Sequence, residues 1–111
     1  MFYVYIIYSN KSDRFYIGHT PDVAKRLEEH NNPQGKKYTS KYLPWELKLS
    51  FKVSESRADA MLVERFIKSQ KSRKFIEKLI KENGNQEFFD ELIMNIFNRK
   101  QLVRAIPRTR D

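Results

Sequence analysis

The sequence predicts an α/β domain: a three-stranded antiparallel sheet flanked by helices, with an extra helix at the C-terminal end. Three observations carry this. Residues Phe2 to Ser9 form a β-branched and aromatic run without Pro or Gly, which is how a strand covered on both faces reads. Trp45, Leu47, Leu49, Phe51 and Val53 alternate with Glu46, Lys48, Ser50 and Lys52, the period of a strand with one buried face. Beyond Ser54 the apolar spacing changes to that of an amphipathic helix.

The first strand is followed by a turn cluster, Asn10-Lys11-Ser12-Asp13-Arg14, and a second strand, Phe15 to His19, which closes a hairpin. Thr20-Pro21-Asp22 reads as a helix start, with Thr20 as the cap and Pro21 in the first helical position. That helix runs to about His30 with Val23 and Leu27 inward, and Asn31-Asn32-Pro33-Gln34-Gly35 ends it. The loop from Pro33 to Pro44 is long for so small a domain, and loops of that length are often functional. After the third strand, Ser56 with Asp59 forms a variant capping box. It opens a helix to about Gln70 with Leu62, Val63, Phe66 and Ile67 inward. Ser72 caps the next helix, stopped by Asn83-Gly84. Phe88, Phe89, Leu92, Ile93, Ile96 and Phe97 give the last helix a broad stripe, suited to core packing or to pairing with a second copy. Arg104 to Asp111 reads as a mobile tail. The predicted organisation is one domain over residues 1–83, then the helix and basic tail over 84–111.

A chain of 111 residues suits a single core. No window approaches the roughly 20 apolar residues of a membrane span. The N-terminal segment lacks the basic start and small-residue cleavage site of a signal peptide, so a cytoplasmic location is expected. Without Cys there is no disulfide, thiolate metal site or Cys nucleophile. The net charge is +8, and residues 1–80 hold +7 of it, with 16 Lys and Arg against 9 Asp and Glu. A basic domain suits a polyanion, whose condensed counterions are released on binding. The strip Lys36-Lys37-Tyr38-Thr39-Ser40-Lys41-Tyr42 interleaves ammonium and hydroxyl donors, as phosphate contacts require.

One constellation carries chemistry. Tyr3-Val4-Tyr5 lies on the first strand and Tyr16-Ile17-Gly18 on the second. Arg26 follows on the first helix with His30 one turn on, and Glu64 sits at the edge of a later apolar stripe. Phosphodiester cleavage needs a positioned nucleophile, a cation for the phosphoryl oxygens, and a metal or acid at the leaving oxygen. Gly18 allows close approach of backbone or phosphate. His19 is placed to contact phosphate, and His30 is a further base or leaving-group contact.

This arrangement resembles the GIY-YIG nuclease domain found in homing endonucleases and in bacterial excinucleases, and in particular its small standalone bacterial members. Tyr3-Val4-Tyr5 stands for the first motif, and Tyr16-Ile17-Gly18 matches the second. The Gly18 to Leu27 segment matches the stretch from Gly to Arg, and Glu64 falls at the metal-binding Glu. Tyr3 replaces the name-giving Gly, and Ile76 stands where several members carry an Asn. The resemblance implies a metal-dependent endonuclease acting on DNA, in repair or recombination, with Mg²⁺ or Mn²⁺ on Glu64. Tyr5 is then the expected general base, Tyr16 the positioner, Arg26 the charge-stabilising cation and His30 a fourth catalytic group. Gly18, His19, Lys36, Lys37 and Lys41 are expected to bind substrate. Since a phenol titrates near about 10, Tyr5 needs a nearby cation to act as a base. The alternatives are a non-catalytic nucleic-acid-binding module on the same scaffold, and an interaction protein, such as a homodimer, using the C-terminal helix.

Overall fold

The computed structural model describes residues 1–35 and 37–105, with side chains for all of these but Lys37 and residues 100–105. The elements are β1 (Phe2–Ser9), β2 (Arg14–Thr20), α1 (Val23–His30), α2 (Lys37–Ser40), β3 (Trp45–Ser54), α3 (Arg57–Ser69), α4 (Arg73–Lys81) and α5 (Gln86–Ala105). The sheet has the order β2-β1-β3 and is antiparallel throughout. β1 is central, and Val4, Tyr5, Ile6 and Ile7 are all buried, as its unbroken apolar run requires. Val4 and Ile6 join Ile17, Leu49 and Phe51 in a core covered by Val63, Ile67, Leu79, Phe89, Ile93 and Ile96 of the later helices. Tyr5 and Ile7 pack on the opposite face with Trp45, Val23 and Leu27.

The alternation read along β3 is broken. Ile6 pairs with Leu49, but Ile7 pairs with Leu47, so a bulge at Lys48 shifts the register. An extra residue reverses which face each side chain takes. Leu49 and Phe51 enter the helical core, Trp45 enters the opposite layer, and Leu47 is left exposed. The five residues expected on one face are therefore divided between two.

The start of α1 also differs from expectation. Thr20 is still paired with Tyr3 in the sheet, and the cap is Asp22, whose carboxylate accepts the Lys25 N–H at 3.1 Å. The Thr20 hydroxyl accepts from the Asp22 N–H instead and braces the turn. Ser56 and Ser72 cap α3 and α4 by accepting from the N–H groups of Asp59 and Phe75. In α5, Phe89 stacks on Phe51 with centroids 4.2 Å apart, and Ile93 and Ile96 are buried beside it. Its stripe is spent on the chain's own core, leaving Met94 exposed. Of the tail expected over 104–111, Arg104 and Ala105 end α5 and the rest lies outside the described residues. Among the described residues no helix is long and apolar enough to cross a membrane.

Two contacts hold the loop between α1 and β3. Asn31 accepts the Trp45 N–H at 2.6 Å and donates to the Trp45 carbonyl at 3.0 Å. Further in, the Trp45 indole donates to the Thr39 carbonyl at 2.8 Å, and Thr39 is buried. α2 is thereby seated beside the sheet.

Candidate active site

Tyr5 and Gly18 are cross-strand partners. A Cβ added to Gly18 would lie 2.5 Å from the Tyr5 Oη and 2.7 Å from its Cζ. The close approach expected at Gly18 is thus made by the Tyr5 ring rather than by phosphate, because the phenol lies across the glycine. Gly18→Ala is expected to push the ring aside and cost about 1–3 kcal/mol, the usual range for overpacking a tight core. A thermal melt beside a cleavage assay checks this, and a variant matching the parent in both would show that the ring has room to spare.

Tyr5 is almost fully buried, and its hydroxyl shares a 2.7 Å hydrogen bond with Nε2 of His30, itself buried. Burial pushes the Tyr5 phenol above its ordinary value, with the charge of Tyr16 adding to the rise. A hydrogen bond from Arg26 and the charge of Arg26 oppose it, and the charge of Glu64 adds a further upward push. Two conclusions follow. The four residues singled out in the sequence stand within electrostatic reach of one another. On balance burial outweighs the guanidinium, so Tyr5 needs a further cation beside it to serve as the expected general base. Tyr16 differs from it. It is only partly buried, its ring meets the His30 ring edge-on at 4.8 Å, and among the described residues its hydroxyl has no hydrogen-bond partner. Arg26 uses Nε to hold Glu29 at 3.0 Å, a contact that leaves its terminal nitrogens for other oxygens.

Glu64 projects from α3 into a cleft of about 250 Å³ lined by His19, Met61, Arg65 and Lys68. Its Oε1 accepts from His19 Nδ1 at 2.6 Å, and its Oε2 pairs with Lys68. Arg57 approaches the other nitrogen of His19 at 3.3 Å. A guanidinium only donates, so that nitrogen accepts and the ring proton sits on Nδ1, facing Glu64. His19, expected against phosphate, is therefore engaged on both nitrogens by the protein. Among the described residues no three His, Asp or Glu cluster as a ready-made metal cage. The donor set still fits Mg²⁺ or Mn²⁺. Hard ions of this kind need only one or two carboxylates, taking water and substrate oxygens for the rest. Lys68 is half exposed while Glu64 is mostly buried, so the ammonium is the partner that can swing out to solvent.

Of the basic strip, Lys41 is exposed beyond α2, Lys36 lies outside the described residues, and the side chain of Lys37 is not described. Thr39 is turned into the core and not toward a phosphate. Ile76, at the family's Asn position, packs against the helical core.

The model of the GIY-YIG catalytic domain matches residues 1–83. The chain belongs to the GIY-YIG family. Its motif tyrosines are the residues that the β1–β2 hairpin places side by side, and the family is one of nucleases. The GIY-YIG domain is similar to the UPF0213 proteins of Streptococcus pyogenes serotype M5 (strain Manfredo) and serotype M3 (strain SSI-1). Each is 43% identical over 58 residues, covering 52% of this chain and 62% of the relative. The chain thus spans less than two thirds of the length of the curated relatives it matches. No solved structure matches it significantly. In this GIY-YIG domain Arg57 and Lys68 stand at the site although the motifs do not single them out. Their signal is present in the spacing 57, 61, 64 and 68, which places Arg57, Met61, Glu64 and Lys68 along one helical face.

Proposed function

We propose that this protein is a metal-dependent endonuclease that hydrolyses phosphodiester bonds in DNA. The observation that carries the reading is the convergence of Tyr16, Arg26 and Glu64 around the buried Tyr5–His30 pair. Glu64 holds the metal, which when bound supplies an activated water and a Lewis acid for the phosphate. Arg26 forks two phosphoryl oxygens through its terminal nitrogens and meets the charge that grows on them in the transition state. The hydroxyl of Tyr16 orients the attacking water or the phosphate. Tyr5, hydrogen-bonded to His30 and lowered by the charge of Arg26, is the general base of this reading, with the metal as the further cation that offsets its burial. A role in DNA repair or recombination goes with a cytoplasmic location.

The test is incubation with single-stranded, duplex, flap and branched DNA, with and without Mg²⁺ or Mn²⁺. Metal-dependent cleavage supports the reading. One observation favours a second reading, a binding module on the same scaffold: both Glu64 oxygens are satisfied within the protein. Binding without cleavage of any of these substrates in either metal would decide for that module. Binding itself is expected to be electrostatic, given the +7 over residues 1–80. Log affinity should fall linearly with log salt, with a slope of about −0.9 per duplex phosphate contact. A flat response would remove the polyanion from both readings.

A further inference from the structure

Tyr38 is a large side chain left half exposed beside the site, at 48%. It is not there by looseness of the chain. The next residue, Thr39, is buried, and its carbonyl is held by the Trp45 indole. That anchor turns Tyr38 outward. Its ring stands 6.1 Å from Tyr16 and 5.3 Å from Tyr42, and the guanidinium of Arg14 lies over Tyr42 at 4.6 Å. Between Tyr38 and the edge strand β2 runs a cleft of about 340 Å³ lined by Phe15, Tyr16, Ile17 and Lys68. The cleft therefore has an aromatic wall, a cation at its rim and, in its floor, the tyrosine assigned above to the water or the phosphate.

We propose that Tyr38 is a stacking platform for an unpaired base next to the scissile phosphate, and that the substrate is single-stranded at the point of cleavage. This rests on the nucleic-acid reading given above and narrows it. A base inside a duplex has both faces covered by its neighbours and offers nothing to a tyrosine ring. An unstacked base offers a whole face, and aromatic rings with flanking cations are how proteins hold single strands. Lys68 at the cleft rim and exposed Lys41, just beyond α2, are placed for the flanking phosphates.

The experiment measures binding without metal by fluorescence anisotropy. The probes are a single-stranded oligonucleotide, the same strand with abasic sites throughout, and a duplex of equal length. The proteins are the parent, Tyr38→Ala and Tyr38→Phe. The parent should bind the base-bearing strand about tenfold or more tightly than the abasic strand. Tyr38→Ala should lose most of that difference while keeping its affinity for the abasic strand and the duplex. Tyr38→Phe keeps the ring and should keep the difference. Equal binding of base-bearing and abasic strands by the parent overturns the proposal without any variant, and so does an equal loss on all three probes in Tyr38→Ala. Either result, with salt-dependent binding retained, leaves the nucleic-acid reading standing. Failure to bind any probe overturns that reading and the platform with it.

Discussion

Glu64→Gln is expected to abolish cleavage, by about 10³-fold or more, while leaving metal-free DNA binding close to the parent's. In the proposed reading the carboxylate is the hard anionic ligand of the cleft on α3, and a neutral amide of the same shape does not replace it for a divalent ion. Loss of metal removes several kcal/mol of transition-state stabilisation, and each 1.36 kcal/mol is a factor of ten in rate. Folding should survive. The Gln carbonyl still accepts from His19 Nδ1, and only the half-exposed contact with Lys68 is weakened. Two measurements are needed, single-turnover cleavage in Mg²⁺ or Mn²⁺ and a calorimetric titration of the metal. Cleavage at the parental rate would leave Glu64 a structural residue that joins His19 to Lys68.

Arg26→Ala should cost about 10²–10³-fold in the single-turnover rate at saturating DNA, and far less in affinity. The guanidinium lies on α1 close enough for its charge to lower the Tyr5 phenol. A cation that meets charge developing on the phosphoryl oxygens interacts more strongly in the transition state than in the bound substrate. Losing one of many ground-state phosphate contacts would instead weaken binding modestly and leave the saturated rate unchanged. Arg26→Lys should recover the rate only in part, because an ammonium keeps the charge but not the planar fork. The variant also gives up the contact with Glu29, a surface pair of small value. A variant that binds much more weakly yet cuts at the parental rate once saturated would reduce Arg26 to an ordinary phosphate contact.

The strands and most helix starts are legible because they depend on local chemistry. Ser56 and Ser72 cap where their hydroxyls predict, and the run from Phe2 to Ser9 is central and covered on both faces. What escapes depends on distant contacts or on a one-residue shift. Trp45, Leu47 and Leu49 alternate without a visible break, yet the bulge at Lys48 sends them to different layers. Both Thr20 and Asp22 are good caps, and only the pairing of Thr20 with Tyr3 in the sheet decides between them. Residue types for the site are readable from the motifs, but burial is not. The upward push on the Tyr5 phenol follows from its burial beside α1 and His30, 25 positions away. The engagement of His19 by Glu64 joins residues 45 positions apart, and no pattern within a helical window reveals it.

The Asn31–Trp45 contact has a consequence for how such a protein can change. With α1 and β3 joined at their ends, the segment between them is an interchangeable cassette. Its exposed residues can be altered while the tyrosines, Arg26 and His30 keep their places, provided Thr39, Tyr42 and Leu43 keep their packing. Lengthening it is cheap, since closing a loop twice as long costs only about 0.6 kcal/mol more. Because Tyr38 rides on this cassette and the proposed reacting groups do not, the proposed preference for one nucleic-acid structure can diversify separately from the proposed chemistry of cleavage.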